Sequence, residues 1–181
     1  MQQLSADELL KQYAVGQRDF TNRDISQEYL FEADLSGINL TNSKLVGTHL
    51  PYANLSQATL CQADLTHAEL GDAQLYQADL NQAMLKSATL SRANLRFAKL
   101  SGANLNNANL QGADLYGANL QDCDLTDADL SRANLEKANL TNARLAGTNL
   151  FRAQQADLSN SLVDQTTIYP DGYPQRQEED A

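Results

Sequence analysis

From Phe20 to Leu150 a bulky apolar residue falls on every fifth position: Phe20, Ile25, Leu30, Leu35, then leucine without a break. Alanine stands two places before most of them, from Ala53 to Ala143, with aspartate or asparagine often between. A period of five fits neither the 3.6-residue turn of a helix nor the two-residue alternation of a strand. It predicts a solenoid in which each pentad makes one side of a polygon. The leucine and alanine point inward, and the other three positions point outward or sit at corners. Four such sides per turn close one coil, so that the chain returns to the same side on every twentieth position.

Charge offers a check on that coil. Outward residues 20 apart then lie one above the other, about 4.8 Å apart, where like charges are disfavoured. The stacked pairs are Asp24/Lys44, Lys44/Asp64, Asp72/Arg92, Asp79/Lys99, Asp124/Arg144 and Arg132/Arg152. Only the last is like on like, so the pattern agrees with a four-pentad coil.

Both ends depart from the repeat. Ser5 before Ala6, Asp7 and Glu8 reads as a capping box, the two acids suit a helix N-terminus, and Gly16 is a stop. The spacing predicts a helix over about residues 6–15, with Leu9, Leu10, Tyr13 and Ala14 as its apolar stripe, covering the first open layer. Residues 1–17 are thus an N-terminal helical cap, and residues 18–168 the repeat. After Leu150 the next central position holds Gln155, and the pattern resumes at Ala156, Asp157 and Leu158. That reads as a three-residue insertion near residues 153–155, with Leu158, Val163 and Ile168 as the last central residues. Tyr169, Pro170, Asp171, Gly172, Tyr173 and Pro174 end strand formation, so residues 169–181 are read as a C-terminal cap with a disordered tail.

The pentads starting at Ala53, Ala63, Ala103 and Ala113 resemble those of the pentapeptide-repeat proteins. The helix leading into Arg18-Asp19-Phe20 and the ending at Tyr169-Pro170-Asp171-Gly172 resemble cyanobacterial members. The resemblance implies an all-β fold, a right-handed quadrilateral β-helix with a short N-terminal capping α-helix. At about 30 pentads it would be a rod roughly 36 Å long.

Composition narrows the function. The chain has 181 residues, no tryptophan and a net charge of −10. No apolar run approaches the roughly 20 residues of a membrane span, and the N-terminus has no secretory pattern, so a cytoplasmic protein is expected. Cys61 and Cys123 cannot form a disulfide framework, and Cys123 occupies an alanine slot. His49 and His67 fall on different sides with no second ligand at metal spacing. No glycine-rich phosphate loop is present. The oxygen-rich corners at Asp122, Asp124, Asp127 and Asp129 lack the glycine and terminal glutamate of a calcium loop. Catalytic residues, cofactors and metals are accordingly not expected, and neither is an enzyme.

Acidic family members that mimic DNA and protect gyrase suggest an alternative, a gyrase- or topoisomerase-interacting mimic. Residues 20–168 hold 16 acids and 10 bases, whereas duplex DNA of that length carries about 21 negative charges. Residues 81–110 contain Lys86, Arg92, Arg96 and Lys99 and no acid, a basic belt unlike DNA. Acidic flanks also make nucleic-acid binding unfavourable.

The favoured expectation is a rigid scaffold that binds a partner protein. Tyr76, Arg96, Tyr116 and Glu136 follow one another at coil spacing, with Phe97 beside Arg96. An arginine between two tyrosine layers makes a cation–π ladder, and such residues dominate binding hot spots. A weaker second cluster is Phe31, Pro51, Tyr52, Arg132, Phe151 and Arg152. A monomer is expected rather than a dimer, because covered ends oppose end-to-end stacking.

Overall fold

The computed structural model describes residues 1–174; the tail assigned to residues 175–181 lies outside the described residues. Over the repeat, each residue just before a central leucine forms a parallel bridge with its counterpart four pentads further on, from Asp19↔Asn39 to Asn134↔Gln154. Four pentads therefore make one coil of a β-helix.

The pentad from Ala53 to Gln57 shows why the repeat reads as it does, because each of its five N–H groups is satisfied. Ala53 N–H donates to the Leu50 carbonyl at 3.1 Å, closing a turn, and Asn54 N–H donates to the Ala33 carbonyl at 2.9 Å. Leu55 and Gln57 donate to the Gln74 and Tyr76 carbonyls of the next coil at 2.7 and 2.8 Å. The fifth N–H, on Ser56, donates to Asn54 Oδ1 at 3.1 Å. Aspartate or asparagine before the leucine thus supplies the one acceptor that the stacked backbones do not. At His49 no such acceptor is present, and the residue two places on is Pro51, which has no N–H to satisfy.

Corners follow from the same turn. The second variable residue takes a positive φ, the requirement of a type II turn. Among the described residues, twenty-one other than glycine accept it at that position, among them Tyr52 at 59° and Phe97 at 57°. Left-handed backbone costs an L-residue about 1–2 kcal/mol, offset at most of these corners by an N–H bond to the next coil, as from Tyr52 to the Gly71 carbonyl and from Phe97 to that of Tyr116.

Inward positions are filled by layers of leucine and alanine, with exposures of 0–1 % from Leu55 to Leu135. Fully burying a leucine contributes roughly 1.5–3 kcal/mol. Where Ser43, Thr48 and Thr148 replace alanine, the hydroxyl donates to the Phe20, Ile25 and Leu125 carbonyls at 2.9, 2.9 and 2.7 Å. Cys123 does the same toward Leu100 at 2.8 Å.

At the N-terminal end, β1 (Gln2–Gln3) pairs in parallel with β2 (Arg23–Asp24). Helix α1 spans Ala6–Ala14, and Ser5 Oγ accepts from the Glu8 N–H at 3.3 Å. The other half of the expected box is not made, since Glu8 accepts from Gln12 Nε2 at 2.6 Å instead. Leu9 is fully buried in the core, and Tyr13 packs beside it with its hydroxyl donating to the Ser36 carbonyl at 2.7 Å. Leu10 and Ala14 face outward, unlike the expected stripe, and Leu4 and Ala6 take their place against the core. Glu28 stands in an alanine slot, and its carboxylate accepts the Ala6 N–H at 2.8 Å.

The C-terminal irregularity is a shortening, not the expected three-residue insertion. Gln154 still bridges Asn134, so the side after Leu150 is complete. Arg144 then bridges Leu162 and Asn149 bridges Ile168, where a regular coil would pair them with positions 164 and 169. The coil is thus two short after Gln155, and one position is restored before Ile168. Gln155 falls where a central apolar residue belongs; burying its amide without partners would be costly, and the chain turns there at φ 51° with Gln155 exposed. Ile168 is a bridging residue and not a central one: the alanine slot beside it holds Thr167, buried, with its hydroxyl donating to the Leu145 carbonyl at 2.7 Å. Leu158 and Val163 reach the core but are only partly buried. A turn over Tyr169–Gly172 brings Pro174 antiparallel to Ile168.

Candidate functional site: an aromatic and arginine corner

Because outward residues one coil apart stack, one corner of the coil collects Tyr76, Arg96, Tyr116 and Glu136 in one column and Gln77, Phe97, Gly117 and Lys137 in the next. The ladder differs from the one expected. Phe97 stands between the tyrosines, edge-on to Tyr76 at 6.1 Å and to Tyr116 at 5.4 Å. Arg96 leans one way only: its guanidinium lies 4.5 Å from the Tyr116 ring centre and 5.8 Å from that of Phe97. It also pairs with Asp114 at 3.1 Å.

Two residues that the sequence reading did not single out, Lys137 and Gly117, complete the cluster, although both stand at coil spacing from Phe97. Lys137 lies 4.8 Å from the Tyr116 ring centre and donates to the Tyr116 hydroxyl, which raises the lysine pKa. Glu136 joins through Lys137 at 3.9 Å. Gly117 is the seat of Phe97: a Cβ there would come within 2.8 Å of the phenyl ring. Phe97 itself is 43 % exposed, and Tyr76, Arg96 and Tyr116 are half-buried.

The second cluster divides into two. Phe31 and Tyr52 meet edge-on at 5.7 Å near the N-terminal end. Arg152 lies 4.9 Å from the Phe151 ring centre several coils away. A further stack on the neighbouring column joins Tyr29 to His49, with rings 4.3 Å apart and 4° from parallel, and His49 Nδ1 lies 2.9 Å from Glu69 Oε2. The coil spacing of Tyr29, His49 and Glu69 was its signal in the sequence.

Other expected features dissolve into local pairing. Three of the four cations of the basic belt have carboxylate partners: Arg92 with Asp72 at 2.5 Å, Arg96 with Asp114, and Lys99 with Asp79 at 3.7 Å. The arginine beside Asp72 holds that carboxyl below its ordinary value. The acidic corners are also in use. Asp124 and Asp129 accept from the N–H groups of Thr126 and Ser131, and Asp122 from Asn142 Nδ2 at 3.0 Å. Among the described residues no group of three or more His, Cys, Asp or Glu is placed to hold a metal ion. Burial raises the Cys123 thiol to about 12; burial, then a bond to Asp79, raises that of Cys61 to about 11. No helix among the described residues is long and apolar enough to cross a membrane.

A β-helix of five-residue sides defines a class of repeat protein. The chain belongs to the pentapeptide repeat family, whose sequence profile matches in eight copies over residues 46–82, 88–127 and 123–165. No curated protein is a significant sequence match. Among solved structures it is similar to HetL, a pentapeptide repeat protein involved in heterocyst differentiation regulation in the cyanobacterium Nostoc sp. strain PCC 7120. The two are 29% identical over 95% of this chain and 100% of HetL, with a TM-score of 0.37. Rfr23 of the cyanobacterium Cyanothece 51142 is 23% identical over 90% and 97% of the two chains, with a TM-score of 0.42. QnrB1, a plasmid-mediated fluoroquinolone resistance protein, is 20% identical over 82% and 86%, with a TM-score of 0.49.

Proposed function

We propose that the protein is a non-enzymatic, rigid scaffold of the cytoplasm that binds a partner protein through the corner bearing Tyr76, Arg96, Phe97, Tyr116 and Glu136. The same reading takes the coil as closed, four-sided and right-handed, the hand favoured by parallel strand crossovers, with α1 covering its N-terminal end. The observation that carries it is the contiguous Tyr76–Phe97–Tyr116 edge stack with Arg96 beside it, three rings in succession where Phe31–Tyr52 and Tyr29–His49 meet only as pairs. Rigid aromatic and arginine groups bind at low entropic cost. The internal pairing of Arg92, Arg96 and Lys99 leaves little positive charge for nucleic acid, and the excess of six acids over bases in residues 20–168 is far short of duplex DNA.

Affinity capture from the native cell tests this reading. The partner recovered with the natural protein is expected to be lost with Tyr76→Ala plus Tyr116→Ala, while circular dichroism shows the fold intact. Undiminished recovery removes the proposal. Inhibition of gyrase supercoiling by the purified protein would instead favour the mimic.

A further inference from the structure

Seven aromatic side chains point outward from the regular coils: Tyr29, Phe31, Tyr52, Tyr76, Phe97, Tyr116 and Phe151. Six of them, all but Tyr29, lie on the two corners that flank one side of the rod, whose middle column runs Asp34, Asn54, Gln74, Asn94, Asp114, Asn134. Those corners are four of the twelve outward columns, so the side is marked out from the other three.

The residues on it are balanced about the coil of residues 91–97. Phe31 and Phe151 stand in one column, each three coils from position 91; Tyr76 and Tyr116 stand in another, each one coil from position 96; Phe97 is at the centre. Charge follows the same balance with opposite sign. Glu32 and Arg152 are each three coils from position 92, and Tyr52 and Arg132 are each two coils from it. All four of those side chains are exposed. Six coil spacings, about 29 Å, separate Glu32 from Arg152. That is well beyond the roughly 8 Å screening length at physiological salt, so the two cannot satisfy one another within a copy.

We infer that this side binds a second copy of the chain, the two rods lying side by side and antiparallel about a two-fold axis at the coil of residues 91–97. The inference rests on the protein-binding reading above and names its partner. An axis in the contact plane and perpendicular to the rods sets each corner against the same corner with its heights reversed. Phe31 then meets Phe151, Tyr76 meets Tyr116, and Phe97 meets itself. Glu32 faces Arg152 twice over, and Arg132 lies on Tyr52. Like charges meet only on the axis, at Arg92 and Arg96, and each is already held by a carboxylate of its own copy, Asp72 and Asp114. A parallel pairing would set one corner against the other and lose every one of these matches. Covered ends oppose end-to-end stacking, the ground for expecting a monomer, and leave side-by-side pairing open.

Sedimentation equilibrium of the full chain, from nanomolar to high micromolar, tests it. The natural protein is expected to pass from monomer to dimer as concentration rises. Phe97→Asp, at a left-handed corner that aspartate tolerates, is expected to weaken the dimer about a hundredfold or more, because the centre of an interface carries most of its energy. Tyr76→Ser is the second variant should that one not fold. Glu32→Arg or Arg152→Glu alone is expected to weaken it about tenfold, since each change counts at both ends, and the two together to restore it. Mixed copies carrying Phe31→Cys and Phe151→Cys should join through a disulfide. A natural protein monomeric at the highest concentration overturns the inference, as does a dimer indifferent to Phe97→Asp and to the charge exchange. If it stays monomeric while cellular capture still depends on Tyr76 and Tyr116, self-pairing falls and the protein-binding reading stands.

Discussion

The coils up to Gln154 and the coil after it draw on the same residues and are held very differently. From Leu50 to Leu130 each central leucine has a leucine one coil before and one coil after it, and exposures are 0–1 %. In the last coil Leu158 and Val163 touch the core but stay half-buried, and Leu162, on a bridging position, is 57 % exposed. The backbone turns are not what separates them: Ser159 and Thr166 still donate N–H groups to Asp157 and Asp164 at 3.1 and 2.9 Å, the same motif as in the middle of the rod. What is lost is registry. Local turn chemistry survives a coil that is two short, whereas layered packing of the core needs all four pentads.

The largest expected contrast is therefore in the core. Leu95→Ala, at the centre of the stack, should cost about 3–5 kcal/mol, because rigid layers relax poorly around a cavity. Leu158→Ala should cost about 1–2 kcal/mol, in proportion to the smaller area it removes from water. Urea unfolding of both measures this, and equal losses would end the distinction. Next come the glycines that seat phenyl rings. A Cβ at Gly117 would come within 2.8 Å of Phe97, and one at Gly172 within 3.1 Å of Phe151; both glycines have positive φ. Gly117→Ala should cost about 1–2 kcal/mol, and Gly172→Ala less, since a terminal turn can shift. Thermal melts of the pair give the order.

How much of this could be read beforehand depends on the direction of the contact. The inward leucines and the pairs Asp72/Arg92 and Asp79/Lys99 lie straight up a column, and their coil spacing is visible in the chain. Arg96 with Asp114, and Phe97 with both tyrosines, are diagonal contacts set by side-chain reach, which no period encodes. The end of the repeat misled for another reason. Counting leucines from Leu150 to Leu158 suggests three added residues, because it passes over Gln155, a polar residue at the end of a complete side. Hydrogen bonding keeps count of backbone groups and leucine spacing does not.

Two smaller effects sharpen the contrast. Asn54→Ala removes the acceptor for Ser56 N–H and the donor to Asp34 Oδ1, 2.9 Å away; about 1 kcal/mol is expected, measured by urea unfolding. The other is acid sensitivity. Asp24 and Asp72 in the regular coils, and Asp157 and Asp164 in the last, have pKa values below the ordinary 3.8. Hydrogen bonds to the charged form cause this first: from Ser26 to Asp24, Arg92 to Asp72, Ser159 to Asp157 and Thr166 to Asp164. Their contribution is complete above the ordinary value and is lost as pH falls through the lower, folded values. Amide exchange near pH 3 should accelerate first in the last coil, where packing is thinnest. Uniform acceleration along the rod would contradict that.

A coil of four equal units also constrains how such a chain changes length. Gain or loss of one pentad keeps the backbone hydrogen-bond pattern and the leucine layers, yet carries all later residues to the adjacent side. Tyr116 would no longer share a corner with Tyr76. Duplication of a whole coil keeps every aromatic on its corner but shifts the midpoint between Phe31 and Phe151 by half a coil. The fold therefore tolerates a far wider set of duplications than the surface pattern does. Descendants of one ancestral rod can be equally stable and share no face.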